Sequence, residues 1–133
     1  MQFDTKQKVL LALYIEYQKD VPNMRSINAE TLEIDHEAFS VALMKLETEE
    51  YITDLIEIKT LGSAPPSYRL DRAKLTRDGV EYVETKLSID TRMSGTEKVT
   101  GILKKLGEWG MEQLKDVSAK VAAELIKGQF ESK

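Results

Sequence analysis

The chain has no cysteine, a single histidine, three prolines and one tryptophan among 133 residues. Without cysteine there is no disulfide framework, no thiolate metal site and no thiol nucleophile. His36 alone cannot supply a paired-histidine metal motif or a relay through a second imidazole. No apolar run approaches the roughly 18 residues of a membrane span. Residues 1–20 show neither an apolar h-region nor a small-residue cleavage pattern. These absences lead to the expectation of a soluble, cytoplasmic protein with no membrane partner. Basic excess is missing too, since the net charge is −4. The deficit lies in residues 1–87, with 16 acidic against 11 basic residues, whereas residues 88–133 carry 7 against 8. An acidic domain repels phosphates unless its cations gather on one face.

What is present is enough for a core, because 41% of the residues are hydrophobic. That share is ordinary for a globular chain. Asp4 and Gln7 form a capping-box pair opening a first helix to about Lys19, with Val9, Leu10, Leu13 and Tyr17 on one side. Pro22 ends the segment. A short second helix is expected over 28–33, capped by Ser26 or Asn28, with Ile27 and Leu32 turned inward. Asp35 caps a third helix to about Glu49, whose buried stripe is Phe39, Ala42, Leu43 and Leu46.

From Tyr51 to Thr60 the period changes to two. Ile52, Ile56 and Ile58 face one way, as in a half-buried strand. Residues 61–67 are a proline-bearing tip, Tyr68-Arg69-Leu70 is the return strand, and Thr76 caps a fourth helix bearing Val80, Val83 and Leu87. The expected fold is α+β and mainly helical. It is a winged helix-turn-helix domain (1–87), a linker (88–93) and a long C-terminal amphipathic helix (94–133).

That last helix opens with the capping sequence Ser94-Gly95-Thr96-Glu97. Its stripe of Leu103, Leu106, Gly110, Leu114, Val117, Val121 and Leu125 follows an eleven-residue repeat, nearly straight on a helix. So long an apolar face exceeds what a small domain covers, so these seven residues are the candidate interface of a homodimer. Gly101, Gly107 and Gly110 mark either close backbone approach or a bend. Membrane-surface binding is disfavoured, because Glu108, Glu112, Asp116 and Glu124 offset the lysines.

No catalytic, cofactor-binding or metal site emerges, and an enzyme is not expected. Leu61-Gly62-Ser63-Ala64 lacks the Gly-Lys-Ser/Thr of a phosphate loop. Glu47, Glu49 and Glu50 read as a solvated helix end.

The segment Glu49-Glu50-Tyr51-Ile52, the hairpin, and Leu75-Thr76-Arg77-Asp78-Gly79-Val80-Glu81-Tyr82-Val83 resemble winged-helix proteins, in which x-x-G-Y-I and L-T-x-x-G-x-x-Y-[LV] bracket the wing. Over residues 5–87 the chain resembles the YjcQ-like proteins of Firmicutes and their phages, departing at Glu50, where glycine is common. PadR-type regulators are similar in plan, with a C-terminal dimerisation helix. The resemblance implies a DNA-binding transcriptional regulator. In such proteins the third helix enters the major groove and the wing lies along the backbone. The candidate contacts to double-stranded DNA are Ser40 and Lys45 on the third helix and Lys59, Arg69, Arg72, Lys74 and Arg77 around the wing. The third helix is acidic, with five carboxylates against Lys45 over 35–50, which moves the expected contact to the hairpin. The alternative is a protein-interaction module whose acidic third helix meets a basic protein partner.

Overall fold

A computed structural model describes residues 3–58, 62 and 67–131, with side chains to residue 128. Among them run helices α1 (Thr5–Tyr17), α2 (Ala29–Leu32) and α3 (His36–Thr48), then strands β1 (Ile52–Thr53), β2 (Ile56–Ile58), β3 (Ser67–Arg69) and β4 (Lys74–Leu75). Helices α4 (Arg77–Lys86), α5 (Gly95–Lys105) and α6 (Lys115–Glu131) complete the chain, with short 3-10 turns at Met24–Ser26 and Glu112–Leu114. The architecture is mainly helical α+β with two small antiparallel sheets and a 17-residue C-terminal helix.

Helix starts follow the capping chemistry. Asp4 and Gln7 form the reciprocal box on α1, Ser94 and Glu97 repeat it on α5, and Asn28, Asp35 and Thr76 cap α2, α3 and α4. Each cap oxygen accepts from a backbone N–H that the helix leaves unbonded.

Several helix ends close in the left-handed conformation. After α3, Glu50 has φ 64°, its N–H donates to the Glu47 carbonyl at 3.0 Å, and the Tyr51 N–H donates to Leu46 at 2.9 Å. Glu33, Ser88 and Gly110 make the same reversal, with Ile34, Ile89 and Met111 N–H groups donating to Ala29, Glu84 and Leu106 carbonyls. This is the Schellman closure, which glycine usually serves. Glutamate at position 50 therefore leaves the turn intact, with the side chain bearing the cost of the left-handed region.

α1 is buried on nearly every side, not along one stripe. Val9 to Glu16 are all buried, because α3, α4, β4 and α6 all pack against this helix. One continuous apolar cluster thus runs from α1 through Val99, Ile102, Leu106, Leu114 and Val121.

Two expectations need correcting. The strand expected over 51–60 is broken at Asp54, whose φ of 64° separates β1 from β2. β1 pairs with β4 (Ile52 opposite Leu75), while β2 pairs with β3 (Glu57 opposite Tyr68). The inner pair of residues, Ile52 and Leu75, is buried, whereas Ile56 and Ile58 are exposed.

The C-terminal segment is not one helix. The chain reverses between Leu106 and Gly110, where Gly110 has φ 71°, and α6 folds back along α5 and onto α1. Gly107 and Gly110 therefore mark a bend. No heavy atom outside the local chain lies within 4 Å of where a Cβ would stand at Gly101 or Gly110, so close approach is not their purpose.

Candidate nucleic-acid interface

α3 leads from a short helix into the nested strand pairs, and the base of that connection is rigidly made. Thr76 Oγ1 donates to the Glu50 carbonyl at 2.6 Å and accepts from the Gly79 N–H at 3.0 Å, while the Thr76 N–H donates to the Tyr51 carbonyl. Gly79 lies directly against that carbonyl, so no Cβ fits there. Tyr51 also stacks on Tyr82, with ring centroids 4.9 Å apart. The L-T-x-x-G pattern thus locks the end of α3 to the start of α4.

The acidic end of α3 is largely engaged in the fold. Glu49 binds Lys6 of α1 at 2.7 and 2.8 Å, and this bond, with the Glu49 charge and despite some burial, raises the lysine pKa. Glu47 accepts from the Leu55 N–H at 3.1 Å, and Asp35 accepts from Ala38 at the other end of the helix. On the outward face between them stand Val41, Met44 and Lys45, all exposed. Lys45 borders a shallow groove with Thr5, Glu37 and Val41 and forms no ion pair among the described residues.

The expected basic contacts fall into two places. Arg69 grips Asp71 with a fork, Nη2 to Oδ2 at 2.8 Å and Nε to Oδ1 at 3.3 Å. Arg25, from the 3-10 turn before α2, reaches the same carboxylate at 3.8 Å. Arg72, exposed in the turn after β3, forms no ion pair among the described residues. Arg25 and Arg69 line one cleft with His36 and Ser40, a basic edge beside the start of α3, and Arg72 follows Asp71 in the chain.

Lys74 and Arg77 lie elsewhere, at the acidic base. Lys74 is 3.8 Å from Asp54, Arg77 pairs with Glu81 at 3.1 Å, and Arg77 shares a hollow with Glu47, Glu50 and Asp78. Their charges are locally offset. Lys59 lies outside the described residues. Ser40 is not on the outward face of α3: it is 5% exposed and borders a cleft of about 250 Å³ with Arg25, His36, Tyr68 and Arg69.

Most of the candidate dimer stripe is covered by the protein itself. Leu106, Leu114, Val117 and Val121 are buried in the common core, Leu103 and Leu125 pack against it half-buried, and Gly110 is exposed in the reversal. A second copy reaches the buried leucines and valines only if this core opens.

Two buried carboxylates were not foreseen. Glu84 of α4 accepts from the Tyr14 hydroxyl and from Lys98 Nζ of α5, each at 2.8 Å. Burial, then the bond to Glu84, pushes the Tyr14 phenol pKa up. Glu16 accepts from Lys19 at 3.0 Å and from the Asn23 N–H at 2.8 Å, while Lys19 also meets Glu124 of α6 at 2.8 Å. Burial lowers the Lys19 pKa, but Glu124 and Glu16 outweigh it and hold it up. Both carboxylates occupy positions that helical periodicity assigns to the inner face (Val80, Val83, Glu84, Leu87; Val9, Leu13, Glu16), which was the available signal. Arg25 carried none, being a lone cation in a loop.

No group of three potential metal ligands and no membrane-spanning helix exists among the described residues. Residues 7–109, from α1 through the end of α5, match the model of the family described as YjcQ protein, and the chain belongs to that family. No curated protein and no solved structure matches it.

Proposed function

We propose that the protein is a winged-helix DNA-binding regulator that meets duplex DNA through its basic edge, with β2 and β3 as the wing and α3 beside the major groove. The observation that carries this reading is the convergence of Arg25 and Arg69 on the cleft beside the start of α3, with the exposed Arg72 next along the chain from Asp71. The acidic residues that argue against groove entry are partly spent: Glu49 is matched by Lys6, and Glu47 is held to the Leu55 N–H. With one lysine and no arginine on α3, base readout is sparse and phosphate contacts dominate.

The test is duplex binding by the full chain at about 50 mM salt, where phosphate contacts are strongest. Arg69→Ala combined with Arg72→Ala is expected to abolish measurable binding. Unchanged binding in the double variant removes the wing edge from the interface.

A second reading, a protein-interaction module, draws on Val41 and Met44, which place exposed apolar surface at the centre of the outward α3 face. It predicts no duplex binding at low salt and a partner complex broken by Met44→Glu. Charge reversal at Glu47 and Glu49 is a poorer probe of it, because both side chains also serve the fold.

A further inference from the structure

Resting on the duplex-binding reading above, we propose that the cleft between the Met24–Ser26 turn, the start of α3 and β3 is a phosphate seat. In the free protein Asp71 occupies its arginines, and a backbone phosphate displaces that carboxylate on binding. Three observations converge there.

Arg69 and Arg25 both point at one carboxylate, so two guanidinium charges face a single negative one. The arginine side chains are 56% and 64% exposed, which leaves them open to solvent and to a ligand. A guanidinium fork that holds a carboxylate fits a phosphate equally well. Asp71 therefore holds the Arg69 fork in a geometry a phosphate can take over.

The third observation is Ser40. The residue is 5% exposed and borders the cleft, and its hydroxyl makes no hydrogen bond among the described residues. A hydroxyl at the cleft wall can donate to an acceptor seated there. A phosphate oxygen in the cleft accepts from Ser40 Oγ and the two guanidinium groups, with the His36 ring alongside.

The experiment has two arms on the full chain. In the first, binding of a fluorescein-labelled duplex is followed between about 50 and 200 mM salt for four proteins. Each phosphate contact adds about 0.9 to the log–log salt slope. Arg25→Ala with Arg69→Ala should flatten the slope by nearly two units, and Ser40→Ala should weaken binding a few-fold without changing it. Asp71→Asn should tighten binding about threefold or more, since the competing carboxylate is gone. Binding that weakens in Asp71→Asn, with an unchanged slope in the arginine double variant, overturns the seat while leaving the duplex reading in place.

In the second arm, inorganic phosphate is titrated into isotope-labelled protein. The backbone amides of His36 and Ser40 should shift in the wild type and remain still in Arg25→Ala/Arg69→Ala. Such shifts without any duplex binding would refute the duplex reading but retain the seat, whose phosphate then comes from a small phosphorylated molecule. Still amides in the wild type, with duplex binding indifferent to the arginines, refute the seat on both counts.

Discussion

Glu84 with Lys98 and Asp71 with Arg69 are the same chemistry in two settings. Both are carboxylate–cation pairs at 2.8 Å, but the first has side chains 6% and 13% exposed and the second 28% and 56%. The buried pair joins α4 to α5 and receives the Tyr14 hydroxyl from α1, so three elements meet on one carboxylate. The open pair joins residues two apart on one strand end, and the one further group on its carboxylate is the exposed Arg25 at 3.8 Å. Burial decides which pair is structural and which is available to a ligand.

The largest expected effect comes from breaking the buried pair. Glu84→Leu leaves Lys98 and the Tyr14 hydroxyl unpartnered in the interior and should cost about 3 kcal/mol by urea denaturation. Adding Lys98→Met should recover much of that loss, because two apolar side chains need no partner. A Glu84→Leu cost below 1 kcal/mol would erase the distinction between the two settings.

Gly79→Ala should destabilise by about 2–3 kcal/mol, since its Cβ meets the Tyr51 backbone and not a yielding side chain. Glu50→Gly should act the other way, stabilising by about 1 kcal/mol by relieving a left-handed non-glycine residue.

Tyr14 connects the buried pair to pH. Its folded pKa lies above the ordinary 10.0 because burial, then Glu84, disfavour the phenolate. The folded state thus holds a proton that the unfolded chain releases first, so this stability is intact below pH 10 and declines as pH rises above it. Tyr14→Phe should flatten the alkaline fall in a pH series of thermal midpoints.

The smallest stability effect is expected at the open pair. Arg69→Ala should change stability by no more than about 0.5 kcal/mol, as exposed pairs contribute little. A large loss there would make Arg69 a structural residue.

The fold was legible where local chemistry specifies it. The expected caps stand at Asp4, Asp35, Thr76 and Ser94, Asn28 rather than Ser26 caps α2, and the α3 stripe of Phe39, Ala42, Leu43 and Leu46 is buried. Legibility failed where one pattern serves two structures. The spacing Leu106, Gly110, Leu114 suits a continuous helix, but Leu106 and Leu114 are equally well buried when the chain reverses at Gly110. Likewise the alternation through Ile52, Ile56 and Ile58 continues across the Asp54 kink, which only the backbone conformation reveals.

The basic edge was half legible. Arg69 and Arg72 stood out beside the hairpin, whereas Arg25 joins them only through tertiary folding onto Asp71. The offsetting of Lys74 and Arg77 by Asp54 and Glu81 and the burial of Ser40 are likewise consequences of packing.

The central claim is that the open charges, Arg25, Arg69, Arg72 and Lys45, face duplex phosphates. Its most direct test is wild-type affinity for a labelled duplex between about 50 and 200 mM salt. Four contacts give a log–log slope of about −3 to −4, so binding should weaken roughly a hundredfold over that range. Absence of binding at the low end, or an affinity indifferent to salt, would contradict it.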